Sequence, residues 1–138
     1  MVIVLDTNVF VAALLGSGGA SRAVLRYCLE GRLQPLMGAA LFAEYESLLS
    51  RDLFKGCRLD AGQRDTLFNA FLSVCRWTSI YYGWRPNLRD EADNHVIELA
   101  VAGGASAIIT KNVRDFKGAE LHFPGLRTLR PEELLREI

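Results

Sequence analysis

The stretch Val2-Ile3-Val4-Leu5-Asp6-Thr7-Asn8 is an unbroken apolar run that ends abruptly in an acid. Four apolar residues without polar alternation predict a strand buried on both faces, with a carboxylate at its C-terminal tip. In open α/β sheets, ligands and chemistry collect beyond the carboxyl ends of the strands, which puts Asp6 where a catalytic acid is useful. The same residue is placed to cap the helix that follows. This segment alone does not separate the two roles; carboxylates elsewhere must decide.

Working outward, Val9, Phe10, Ala13, Leu14 and Leu15 carry helical spacing up to the Gly/Ser stretch at 16–19, which lacks the pattern of a phosphate loop. Ser21 is expected to cap a helix running to about Glu30, with Gly31 as its stop. Leu33 to Met37, interrupted by Pro35, predicts a short strand. Ala39 to Arg51 carries an apolar stripe of Leu41, Phe42, Tyr45, Leu48 and Leu49. Glu44 and Glu46 lie on opposite margins of that stripe, and periodicity does not choose between them. Asp60 with Gln63 has the form of a capping box opening a helix to about Arg76, and Trp77 to Tyr82 is rich in β-formers.

A helix over about 92–102 follows, its residues Val96, Ile97, Ala100 and Val101 on one face. At 100° per residue Asp93 falls near the middle of that face, while Asp90 suits an N-cap. A buried carboxylate must be paired or bound to a cation, so an inward Asp93 asks for a chemical reason. Ala107 to Thr110 predicts another short buried strand, ending in the polar cluster Thr110-Lys111-Asn112-Val113-Arg114-Asp115-Phe116. Gly125 to Leu129 predicts an edge strand and Pro131 the start of a closing helix. Strands alternate with helices throughout, which predicts an α/β fold with a mostly parallel sheet and right-handed crossovers.

Two strands ending in Asp6 and in the 110–115 cluster, plus Asp93, bring three carboxylates to one edge of the sheet, with Glu44 a candidate fourth. Like charges about 4 Å apart repel by roughly 4 kcal/mol per pair at an effective dielectric near 20. Such a cluster needs protons or cations. A proton-sharing pair, as in glycosidases or aspartic proteases, uses two acids, whereas four acids without His or Cys suit a hard divalent cation, Mg²⁺ or Mn²⁺. Sites of that kind most often handle phosphates.

Composition sets wider bounds. The 138 residues, 15.3 kDa and 50% hydrophobic, fit one domain over 1–138 with a real core. The net charge is +0, so bulk electrostatics neither requires nor excludes a polyanionic partner; 13 of the 16 basic residues are Arg, whose planar fork suits phosphate or reflects a composition bias. Cys28, Cys57 and Cys75 lack zinc or disulfide-framework spacing, and with His95 and His122 they complete no zinc site. Free thiols and the lack of any membrane-length apolar run predict a soluble cytoplasmic protein without a membrane partner.

The chain resembles the PIN domain family, specifically the VapC-like ribonucleases of toxin–antitoxin systems. The resemblance rests on residues 2–8, on Glu44-Tyr45-Glu46-Ser47-Leu48-Leu49, on residues 90–100 around Asp93, on residues 109–116, and on Phe123-Pro124-Gly125-Leu126-Arg127. It implies a PIN-like fold, a mostly parallel central sheet flanked by helices. It further implies a metal-binding, catalytic quartet of Asp6, Glu44, Asp93 and Asp115, with Asp90 an accessory acid and Asn8, Thr110 and Asn112 polar supports. Glu44 rather than Glu46 is the family's acid. The implied activity is Mg²⁺- or Mn²⁺-dependent hydrolysis of RNA phosphodiesters, with an RNA substrate, a cognate antitoxin and a homodimer as partners. Many relatives carry Asp where this chain has Asn112, which makes a single tightly held ion the expectation. Lys111 and Arg114 flank the acids as substrate-phosphate contacts or as plain surface charges. Trp84 either stacks a base or packs on the domain. Two alternatives stand beside this reading: a non-catalytic PIN-like module that binds nucleic acid or protein, and a phosphatase or receiver-type domain. The latter is disfavoured because Asp6 has no second acid two residues on.

Overall fold

The computed structural model describes residues 1–16, 19–80, 94–117 and 123–138. Asp90, Asp93, Trp84 and His122 lie outside the described residues. Among the described residues, the chain forms β1 (Val2–Leu5), α1 (Thr7–Leu15), α2 (Gly19–Leu29), β2 (Gln34–Met37), α3 (Ala39–Leu49) and α4 (Ala61–Val74). It continues through β3 (Arg76–Trp77), α5 (Asn94–Ala102), β4 (Ala107–Ile109), a 3₁₀ turn (Val113–Phe116), β5 (Arg127–Leu129) and α6 (Pro131–Glu137). The five strands make one parallel sheet in the order β3-β2-β1-β4-β5. This is the expected α/β fold, a parallel sheet flanked by helices.

The opening run sits at the centre of that sheet, where Ile3, Val4 and Leu5 pair with Ala107, Ile108 and Ile109 of β4. All six of these side chains are buried, which explains why both strands are apolar without alternation. Pro35 is tolerated in the interior strand β2 for a local reason. Gln34 donates its N–H to Met1 O at 2.9 Å, so the imino nitrogen of Pro35 faces the other side, and there β3 pairs only with Leu36 and Met37. At the level of Pro35 the strand is therefore an edge.

Helix ends follow local chemistry. Gly16 closes α1 at φ 71, a left-handed conformation that favours glycine. Asp60 and Gln63 form the expected reciprocal capping box of α4, and Pro131 opens α6. One expectation is corrected: α2 begins at Gly19, and Ser21 lies inside its first turn, buried, rather than capping it. The helix runs to Leu29, and Glu30 N–H still donates to Arg26 O at 2.9 Å, in keeping with the expected end at about Glu30. Helices α1 and α2 pack together, α5 lies against β1, β2 and β4, and α6 against α2. The end of α5 meets β2 so closely that a Cβ on Gly103 would stand 2.2 Å from Leu36 Cδ1. No single described helix is long and apolar enough to cross a membrane. The three cysteines are free thiols, and burial pushes those of Cys28 and Cys75 up to about 12.

Candidate functional site

Pairing of β1 with β4 sets the site. Asp6 N–H donates to Ile109 O at 2.9 Å, which carries the ladder one residue past the strand and brings Asp6 beside Thr110. The Thr110 hydroxyl donates to Asp6 Oδ2 at 2.8 Å and accepts from Asn112 N–H at 3.0 Å. Asn8 Nδ2 reaches both Asp6 Oδ2 and Thr110 Oγ1 at 3.3 Å, and Asn8 Oδ1 accepts from Lys111 N–H at 3.1 Å. Two side chains from two chain segments, Thr110 and Asn8, thus hold one carboxylate oxygen, and the backbone N–H groups of Asn112 and Lys111 hold them in turn. Asp6 also caps α1, its Oδ1 accepting from Thr7 N–H at 2.9 Å. Capping and placement at the sheet edge are compatible, because each uses a different oxygen.

Thr7 links the second acid to the first. Its hydroxyl donates to Glu44 Oε1 at 2.7 Å, and His95 Nε2 lies 2.8 Å from Glu44 Oε2. Both oxygens of Glu44 are therefore fixed, one from α1 and one from α5. Glu46 is exposed on the outer side of α3. The next residue, Tyr45, is buried and donates its hydroxyl to Leu5 O at 2.7 Å, tying α3 to the end of β1.

The electrostatics of the two acids differ. Asp6 is only 5% exposed; burial raises its pKa, Glu44 raises it further, and the hydrogen bonds from Thr110 and Thr7 and the charge of His95 partly oppose that. The hydrogen bond from His95 chiefly lowers the pKa of Glu44; burial opposes it and Thr7 assists. An ionised carboxylate only accepts hydrogen bonds, so the imidazole proton facing it sits on Nε2.

These directions set a pH dependence. The depressed value of Glu44 contributes stability that is present above its ordinary 4.5 and lost as pH falls through the lower folded value. Asp6 acts in the opposite sense, destabilising the fold once ionised. Glu44→Gln is expected to flatten the loss of stability below pH 4.5, measured as denaturant midpoints across that acid limb. An unchanged acid limb would mean that the His95 contact contributes nothing to the fold.

The remaining expected site residues are placed as follows. Asp115 is exposed on the 3₁₀ turn that follows β4, with Lys111, Asn112 and Arg114 also exposed on this segment. Among the described residues no three His, Cys, Asp or Glu side chains gather closely enough to hold a metal ion. The described part of the site supplies two carboxylates flanked by hydroxyl and amide oxygens, all hard donors of the kind Mg²⁺ and Mn²⁺ prefer. The raised pKa of Asp6, which Glu44 reinforces, marks a place where positive charge would be favourable. Asn94, first residue of α5, is buried with its Oδ1 unpartnered among the described residues. In kind, the residues fit such an ion.

Sequence reasoning missed Thr7, Tyr45 and His95 as parts of this site. His95 lies 51 positions from Glu44, and no local pattern announces a contact of that range.

A protein-family model described as PIN domain matches residues 2–114. No curated protein matches the chain. Among solved structures, the chain is similar to VapBC2 from Rickettsia felis, crystallised bound to a DNA fragment from their promoter. The likeness has a TM-score of 0.63 and 17% identity, over 94% of this chain and 98% of that one. At that identity it shows a shared fold.

Proposed function

Because the chain belongs to the PIN domain family, we propose that it is a divalent-metal-dependent endoribonuclease, the toxin half of a toxin–antitoxin pair. The observation that carries this reading is the buried Asp6, locked by Thr110, Asn8 and Thr7 at the carboxyl end of the central strand and joined through Thr7 to Glu44. A carboxylate kept ionisable at a cost in burial needs a chemical use.

In this reading Asp6, Glu44, Asp93 and Asp115 hold Mg²⁺ or Mn²⁺. Such an ion supplies positive charge to the phosphate and makes water a better nucleophile at neutral pH. The chain's own residues provide the order. Thr110 and Asn8 keep Asp6 from rotating, and Thr7 and His95 aim Glu44, whose lowered pKa leaves it ionised and able to orient the attacking water. Lys111 and Arg114, exposed on the segment that follows β4, bind flanking phosphates. The likeness to VapBC2 supports a cognate antitoxin as partner, and a homodimer and a cytoplasmic location belong to the same reading.

The test is cleavage of single-stranded RNA by the purified protein with Mg²⁺ or Mn²⁺. The expected result is cutting that chelator abolishes and that leaves 5′-phosphate ends. Cutting that persists in excess chelator would rule out the metal–carboxylate chemistry.

A further inference from the structure

The largest exposed aromatic side chain among the described residues is Trp77, 54% exposed at the edge strand β3. Aromatic rings usually contribute through burial, so a half-exposed indole next to a candidate site asks for an occupant. It lines a cleft of about 570 Å³ together with Ile80, Ala39, Ala40, His95 and Glu98, a volume within the range of small-ligand sites.

This cleft shares a wall with the carboxylate site. The ring of His95 lines it while holding Glu44 at 2.8 Å. Ala40 lies four residues before Glu44 on α3, hence one helical turn away on the same face, and Glu98 stands three residues after His95 on α5. The lining also has the right mixture of chemistry. Trp77, Ile80 and the two alanines give flat apolar surface, and Glu98 is an acceptor for ring or exocyclic N–H groups. A carboxylate there disfavours a phosphate. Gly38, the N-cap of α3, supplies no side-chain hydrogen bond to the first-turn N–H groups of that helix.

We propose that this cleft is a subsite for one unpaired nucleobase of the substrate, stacked on Trp77 and adjacent to the phosphate that Asp6 and Glu44 address. The inference rests on the ribonuclease reading and names its substrate class: single-stranded RNA with a base free to leave its stack, since paired bases offer no face to the indole. Trp77 is a binding residue in this proposal and takes no part in the chemistry. Among the described residues its ring meets that of Phe42, at 5.6 Å between centroids.

Two readouts test it. The chain has two tryptophans, Trp77 and Trp84, so Trp84→Phe leaves Trp77 as the lone indole reporter. In a Trp84→Phe, Asp6→Asn protein kept in chelator, a mixed-sequence single-stranded RNA hexamer is expected to quench Trp77 fluorescence, and a duplex of the same sequence is not. In the protein with Asp6 intact, Trp77→Ala is expected to raise KM for single-stranded RNA roughly 5- to 150-fold with kcat little changed, the fold-change of a base–aromatic stack of about 1–3 kcal/mol. Trp77→Phe should restore most of that, and equal melting temperatures of the two variants show that folding is not the cause.

RNA cleavage that proceeds with unaltered KM in Trp77→Ala, together with fluorescence that no hexamer changes, overturns the subsite while leaving the nuclease reading intact, and hands the cleft to another occupant such as a partner peptide. Quenching by the hexamer alongside a wild-type protein that never cuts RNA with Mg²⁺ or Mn²⁺ does the reverse: it keeps the base subsite and sinks the nuclease.

Discussion

Asp6→Asn is expected to reduce RNA cleavage by about a thousandfold while leaving the melting temperature in metal-free buffer at neutral pH unchanged or higher. The first half follows from charge. Removing a ligand of the proposed metal site, worth roughly 4 kcal/mol of stabilisation to a phosphoryl transition state, would lower the rate tenfold for each 1.36 kcal/mol. The second half follows from burial. The folded pKa of Asp6 lies above its ordinary 3.8 because burial disfavours the ionised form and Glu44 adds to that. A raised acid contributes stability that is fully present below the unfolded value and is lost as pH rises through the folded one. At neutral pH the ionised Asp6 is therefore a burden on the fold that Asn removes. Part of the gain is cancelled, because an amide nitrogen in place of Oδ2 meets two donors that Oδ2 accepted, Asn8 Nδ2 and the Thr110 hydroxyl, and that hydroxyl already accepts from Asn112 N–H and Asn8 Nδ2. Activity assays and thermal melts on the same preparation decide it. A variant that melts well below wild type yet cuts RNA at the wild-type rate would make Asp6 a structural cap and nothing more.

How much of this was legible beforehand depends on the range of the interaction. Apolar runs over Val2–Leu5 and Ala107–Ile109 announced two buried strands, and the acid and threonine at their tips marked where the chain changes purpose; both lie within a few residues. The Asp60 and Gln63 box was legible for the same reason, since donor and acceptor are three positions apart. Periodicity fixes only an angle around a helix axis, so Glu44 and Glu46 stayed level until the resemblance separated them. What orients Glu44 in the structure is Thr7, 37 positions away, and His95, 51 away. Ser21 misled because a hydroxyl before an apolar stripe is a cap signal; here the helix starts earlier, at Gly19, and the hydroxyl is buried inside it. Pro35 was read as a flaw in its strand, but its tolerance depends on the short reach of β3, which only tertiary pairing reveals.

Phe10→Ala is expected to destabilise the fold by about 3–5 kcal/mol, a large share of the roughly 5–15 kcal/mol typical of a domain. Phe10 is fully buried, and its ring meets Tyr45 at 5.4 Å, Phe68 at 5.8 Å and Phe71 at 5.3 Å between centroids. These rings join α1, α3 and α4, so truncation leaves a void that rigid aromatic neighbours fill poorly. The consequence reaches the site, because Tyr45 also holds Leu5 O at 2.7 Å, the carbonyl immediately before Asp6. Denaturant midpoints measure the loss, and Phe10→Leu, which keeps most of the volume, is expected to cost less than about 1.5 kcal/mol. A loss under about 1 kcal/mol for the alanine variant would show that α3 can close onto α1 without these rings. Added Mg²⁺ separates packing from chemistry. A ligand that binds only the folded chain stabilises it by about 2.7 kcal/mol at a hundred times its Kd. Mg²⁺ is therefore expected to raise the melting temperature of Phe10→Ala as it raises that of wild type, and to leave Asp6→Asn where it was, because the first variant keeps the carboxylates and the second lacks the one at their centre.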